Sequence, residues 1–124
     1  EQVGLLAYSP LAQGTLTGKY LGGQMPQGSR LALFGDGPLM MRYKGDKTQQ
    51  AIEMYVNLAK KYEIDPAQLA IQFCNIQPFV TSTIIGATTM EQLKTCIDSV
   101  DLDITKEIMN EIRGIHKEIP NPAP

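Results

Sequence analysis

The residues whose types and spacing suit chemistry begin with positions 79–93. There Val80-Thr81-Ser82-Thr83-Ile84-Ile85 runs into Gly86-Ala87-Thr88-Thr89 and then Met90-Glu91-Gln92-Leu93. The chemistry is anion binding. A helix that starts directly after a strand has first-turn N–H groups with no partner inside the helix, and its dipole favours a phosphate in the space beyond the strand's carboxyl end. Gly86 lets the backbone turn there or come close to a bound group. Thr88, with Glu91 three residues on, fits a capping box that starts the helix. The β-branched run before it predicts a buried parallel strand over 80–85. An ordinary βα unit has the same order of parts, so this stretch alone leaves both uses open.

Other groups with chemical potential are few. The chain has 124 residues, enough for one domain or a piece of one, with 43% hydrophobic and 19% charged residues and a net charge of −2. That balance gives no general attraction to nucleic acid or an anionic membrane, and no nucleic-acid-binding signature is present. No apolar run is long enough to predict a membrane span, and the amino terminus lacks the basic and apolar regions of a signal peptide. Cys74 and Cys96 lie in helix-like segments without a CxxC pairing, and His116 is the one histidine. They read as reduced structural thiols of a cytoplasmic protein, with no metal site expected.

These residues need elements to position them. Val3-Gly4-Leu5-Leu6-Ala7-Tyr8 predicts a buried first strand, broken by Pro10 and Gly14, with a short turn over 15–20. Residues 21–47, rich in glycine and carrying Pro26 and Pro38, predict a long irregular loop of the kind that serves as a lid or binding loop. Ile52, Tyr55, Val56, Ala59 and Tyr62 recur at helical spacing, which predicts a helix over about 47–62. Asp65-Pro66-Ala67-Gln68 starts another, with an aspartate N-cap and proline at the first helical position, and Leu69, Ala70, Phe73, Cys74 and Ile76 as its apolar face. The helix after Thr88 is expected to reach about Val100, with Leu93, Ile97 and Val100 inward. Thr105 caps a last helix with Ile108, Ile112, Ile115 and Ile119 on one stripe. The proline-rich tail from Pro120 to Pro124 cannot continue it.

Strands alternating with helices imply a parallel sheet. Two parallel strands alone leave both edges unpaired and both faces to be covered. Together with an opening at Glu1 that enters an apolar strand almost at once, this leads us to expect a C-terminal portion of a longer chain.

Tyr8-Ser9-Pro10-Leu11-Ala12-Gln13-Gly14-Thr15-Leu16-Thr17-Gly18-Lys19-Tyr20 resembles the seventh-strand signature of aldo-keto reductases. Ile85-Gly86-Ala87-Thr88-Thr89-Met90-Glu91-Gln92-Leu93 resembles the eighth-strand signature of the same family. The pattern is similar to the bacterial Tas-type branch and, more distantly, to the potassium channel β-subunit branch. The resemblance covers essentially the whole chain but only about the last third of the family's domain. It implies an α/β fold, the C-terminal portion of a (β/α)8 TIM barrel with the site at the carboxyl ends of the strands. Its parts are residues 1–20 as the seventh strand and cofactor loop, 21–47 as a long loop, 48–78 as helices, 79–100 as the eighth βα unit and 104–119 as the C-terminal helix.

The resemblance further implies NADP(H) as cofactor. Tyr8 matches the aromatic residue that stacks on the nicotinamide. Ser9, Leu11, Gln13 and Gly14 match the loop beside the pyrophosphate, and Lys19 a lysine near the phosphates. Ser29-Arg30 resembles the pair in which the arginine meets the adenosine 2′-phosphate, a bidentate anion suited to a guanidinium. Gly86, Thr88 and Gln92 match phosphate and ribose positions of the last βα turn. Thr95-Cys96 departs from the Glu-Asn that many members use for the adenine amino group.

The family reduces carbonyl compounds by hydride transfer, with a tyrosine, lysine, aspartate and histidine from earlier strands. No catalytic residue is expected in this chain. An oxidoreductase part acting on a small-molecule carbonyl substrate is the first expectation. A non-catalytic fragment that senses cofactor or binds a partner is the alternative, and the partner facing the open strand edges is either the remainder of the barrel or another copy in a homo-oligomer.

Overall fold

The computed structural model describes residues 3–35 and 37–123. The opening at Glu1 and the final Pro124 lie outside the described residues. Strand β1 (Leu5–Tyr8) is followed by a 3-10 turn over Ala12–Thr17 and another at Leu21–Gly23. Two short helices come next, α1 (Arg30–Phe34) and α2 (Pro38–Met41), then the long α3 (Asp46–Lys61) and α4 (Pro66–Asn75). Strand β2 (Val80–Ile84), α5 (Met90–Asp98), a 3-10 turn at Ser99–Asp101 and α6 (Lys106–Glu118) complete the order.

The two strands pair in parallel, with Leu5 beside Val80 and Tyr8 beside Ile84. Gly4 lies tight against this pair. A Cβ built there would lie 2.0 Å from Thr81 Oγ1 on the neighbouring strand. The expectation that both strands are buried is not met: Leu6 is 59% exposed and Ile84 51%, and Phe79, Val3 and Leu5 are exposed as well. Helix α4 packs against β2, but among the described residues no third strand pairs with either edge, so most of the apolar surface of these strands stays open.

The core lies among the helices instead. Leu58 and Ala59 of α3, Leu69 of α4, and Ile108, Ile112 and Ile115 of α6 form one buried cluster, flanked by Tyr55, Tyr62 and Ile64. Local signals account for these helices. Asp65 accepts from the N–H groups of Ala67 and Gln68, Pro66 occupies the first helical position, and the Thr105 hydroxyl accepts from Ile108. The isoleucine stripe of α6 is buried as its spacing predicts. The third helix begins one residue before its predicted start and ends at Lys61.

Elsewhere the inward faces differ from those expected. On α4, Ile71 is buried while Phe73 and Ile76 are exposed; on the α5 side, Cys96 and Ser99 are buried while Ile97 and Val100 face solvent. The regular helix also stops at Asp98, short of Val100, because the chain tightens into a 3-10 turn at Ser99. The 21–47 stretch is less irregular than predicted, since the Ser29 hydroxyl caps α1 and Gly37-Pro38 starts α2. The tail folds back: the Arg42 guanidinium donates to the Ala123 carbonyl at 3.1 Å, and the Thr48 hydroxyl donates to the Pro122 carbonyl.

Helices α3 and α6 are also joined by a charged contact. Lys61 Nζ donates to Glu111 Oε1 at 2.7 Å, and the Tyr62 hydroxyl donates to the same oxygen. The lysine contact first, and the tyrosine second, hold the Glu111 carboxyl below its ordinary value of 4.5. The carboxylate is therefore favoured in the folded state, and its contribution is complete above that ordinary value and is lost as pH falls through the lowered one. Thermal unfolding of the wild type and Glu111→Gln across pH 3–7 should show the two curves converging below about 4.5, the ordinary carboxyl value. A constant gap down to pH 3 would remove Glu111 from the acid dependence. The same contact raises the Tyr62 phenol, which adds stability below its ordinary value of 10.0 that is lost as pH climbs through the raised one.

Candidate functional site

Because β1 and β2 are parallel and end on the Tyr8 and Ile84 pair, the segments that follow them leave the sheet at the same end. That end is the carboxyl edge, where ligands of open α/β sheets and of barrels bind. Tyr8 is 77% exposed there, an aromatic face turned to open space.

The turn after β1 is held in an uncommon backbone. Ser9, Ala12 and Gln13 have φ of 55°, 48° and 60°, in the left-handed region that non-glycine residues rarely adopt, and Gly14 follows at 90°. Such strain persists only where the surroundings enforce it. The Ala12 N–H donates to the Ser9 carbonyl at 2.9 Å and the Gly14 N–H to the Leu11 carbonyl at 2.8 Å. The Thr15 hydroxyl donates to the Ala12 carbonyl at 2.8 Å, and Gln13 Nε2 to Ser9 Oγ at 3.4 Å. Gln13 Oε1 is buried without a hydrogen-bond partner, an acceptor left open in the turn.

Lys19 folds over this turn. A Cβ on Gly14 would stand 3.1 Å from both Cε and Nζ of Lys19, so the lysine tip would have to shift by a few tenths of an ångström, and the φ of 90° is one that side chains rarely adopt. Lys19 Nζ is 5.2 Å from the centre of the Tyr20 ring. The Tyr20 hydroxyl accepts from the Leu31 N–H at 3.3 Å, tying the start of α1 to the same segment. Arg30, the first residue of α1, is exposed.

After β2, Gly86 is surrounded by open space, with no atom within 4 Å of where a Cβ would be. The cap that follows is shifted by one residue from the expected Thr88 and Glu91. Thr89 is the N-cap, accepting from the Gln92 N–H at 3.1 Å, and the Gln92 carboxamide oxygen reaches back to the Thr88 N–H and hydroxyl, each at 3.0 Å. Two adjacent threonines followed by Glu91-Gln92 read as a capping box in either register. The observed register leaves Gln92 Nε2 as that side chain's donor toward the edge.

Of the positions singled out in the sequence, Tyr8, Ser9, Leu11, Gln13, Gly14 and Lys19 are gathered along the first turn, and Gly86, Thr88 and Gln92 along the second. Arg30 joins the first group through the Tyr20 link. Sequence reading passed over Tyr20 and Thr89. The adjacency of Lys19 and Tyr20 is the sequence signal that could have flagged the former. Cys96, in the place of the expected adenine contact, is buried, and burial pushes its thiol up, as it does that of Cys74. His116 is an exposed residue of α6. Among the described residues no cluster of three or more His, Cys, Asp or Glu could hold a metal, and no helix is long and apolar enough to cross a membrane.

The segments that follow the two strands carry two cations, Lys19 and Arg30, an uncrowded glycine before a capped helix start and the exposed ring of Tyr8. A model of the Aldo/keto reductase family matches residues 1–117. Over 124 residues the chain is 49% identical to the protein tas of Escherichia coli, covering 100% of this chain and 35% of that protein. It is 35% identical over 120 residues to a probable voltage-gated potassium channel subunit beta of Oryza sativa subsp. japonica, covering 95% of this chain and 37% of the relative. To L-glyceraldehyde 3-phosphate reductase of Escherichia coli it is 34% identical over 101 residues, 80% of this chain and 29% of that enzyme. The chain spans about a third of the length of the relatives it matches.

Proposed function

This chain belongs to the aldo/keto reductase family, and from that premise we propose that it is the cofactor-holding part of a cytoplasmic oxidoreductase that reduces small aldehydes or ketones to alcohols with NADP(H). The observation that carries the reading is the parallel pair ending at Tyr8 and Ile84, which turns both candidate phosphate segments to one edge. The bound cofactor supplies a hydride to the carbonyl carbon. The residues of this chain bind and orient it. Tyr8 offers a flat, apolar face to the nicotinamide ring, one that does not compete for the hydride. Ser9, Leu11, Gln13 and Gly14 line the pyrophosphate, and Lys19 neutralises it. Gly86 admits a phosphate close to the backbone, Thr88 and Gln92 occupy the phosphate and ribose positions, and Gln92 Nε2 supplies a donor there. Arg30 pairs with the adenosine 2′-phosphate.

The acid and base groups lie outside this chain, in the remainder of a (β/α)8 barrel of which β1 and β2 are the seventh and eighth strands. The exposed apolar surface of Leu5, Leu6, Phe79 and Ile84 supports that reading, since it needs a covering layer. The test is an NADPH titration of the full-length protein, followed by tyrosine fluorescence and thermal shift. Saturable binding is expected, with a stabilisation of about 2.7 kcal/mol when NADPH is at 100 times its Kd. The absence of both a fluorescence change and a rise in Tm would overturn the cofactor role.

A further inference from the structure

We propose that Tyr20 is a positioning residue that holds Lys19 and the Arg30 helix in one fixed relation and thereby sets the preference for NADPH over NADH. The proposal rests on the roles of Lys19 and Arg30 given above and adds what places them. Tyr20 is 8% exposed, and a buried tyrosine hydroxyl requires a partner. Its partner is the Leu31 N–H at 3.3 Å, eleven residues along the chain. Leu31 is the second residue of α1, so its N–H is one of the groups that the helix itself cannot satisfy. The Ser29 hydroxyl accepts from the Ala32 N–H at 3.3 Å, another of those groups. Arg30 therefore sits between two anchored residues. A five-residue helix has little stability of its own, and these two contacts from outside its hydrogen-bond ladder fix the direction in which the arginine leaves it.

The ring of the same tyrosine meets the other cation. Lys19 Nζ lies 5.2 Å from the ring centre, within reach of a cation–π attraction, and the lysine tip passes close to Gly14, where a Cβ would stand 3.1 Å from Cε and Nζ. One side chain thus touches Lys19 through its face and the Arg30 helix through its hydroxyl. NADPH presents two separate anionic groups, the pyrophosphate and the 2′-phosphate, and gains from both cations only when their spacing is held. NADH presents the first alone, so a change in that spacing leaves it nearly unaffected.

Tyr20→Phe keeps the ring and removes only the acceptor. Dissociation constants for NADPH and NADH are to be measured on the full-length protein for the wild type, Tyr20→Phe, Arg30→Ala and the double variant, with thermal unfolding as the check on folding. Loss of one of the two hydrogen bonds that place Arg30 should weaken NADPH about fivefold and NADH by less than about twofold. In the Arg30→Ala background Tyr20→Phe should change neither, because the two substitutions act on one contact. Should Tyr20→Phe not fold, Ser29→Ala releases the helix from its other anchor and should give a selective NADPH loss of the same direction. Equal weakening of both cofactors, or a full additional loss in the double variant, would reduce Tyr20 to a structural residue while leaving the cofactor reading intact. A wild type that binds neither cofactor overturns both.

Discussion

Arg30→Ala in the full-length protein weakens NADPH by about 10- to 100-fold, the worth of a hydrogen-bonded contact to a charged group, and changes NADH by less than about twofold. The 2′-phosphate is the only difference between the two cofactors, so their ratio isolates the contact from any general loss of folding. The substitution itself is structurally mild. The Arg30 side chain is exposed, the α1 cap is made by Ser29, and alanine is the best helix former for the vacated position. The readout is a pair of titrations on each variant. Equal losses for both cofactors would remove Arg30 from the 2′-phosphate role and would leave it an ordinary solvated residue of α1.

Gly18→Ala lowers the stability of the fold by about 2–4 kcal/mol, from two causes that add. Gly18 has φ of 80°, and a side chain held in that left-handed region costs about 1 kcal/mol or more. Its Cβ would also stand 3.1 and 3.2 Å from the two γ-methyls of Val56, a side chain only 2% exposed in the middle of α3, and overpacking of such a site typically costs about 1–3 kcal/mol. Chemical denaturation measures the sum. Val56→Ala in the Gly18→Ala background should recover the steric part and leave the backbone part, so that the double variant is more stable than additivity predicts. A loss below about 1 kcal/mol, the backbone cost alone, would mean that α3 slides away from the turn without penalty. Because Gly18 directly precedes Lys19 and Tyr20, the same variant should also weaken both NADPH and NADH, which distinguishes it from Arg30→Ala.

The sequence by itself determined the elements whose signals are local. Asp65-Pro66 marks a helix start because cap, ring and first-turn amides are covalent neighbours, and the spacing of Ile108, Ile112, Ile115 and Ile119 marks one helix face because the helix repeat alone brings them together. The two motifs after the strands were legible for the same reason, each being a contiguous run of turn and cap residues. Only the tertiary structure decided which apolar faces are covered. Ile71 is inward in place of Phe73, and Cys96 in place of Ile97, because burial depends on the element that packs opposite, and an apolar residue on a helix edge satisfies the pattern on either side. The open surface of β1 and β2 has the same origin, since a β-branched run encodes a strand but not the layers that cover it. The cap register at Thr89 was settled by which threonine the turn after Gly86 brings to the helix axis. The link from Tyr20 to Leu31, and that from the tail at Pro122 to Thr48, join residues far apart in the chain, and contacts of that range exist only once the loop between them has closed.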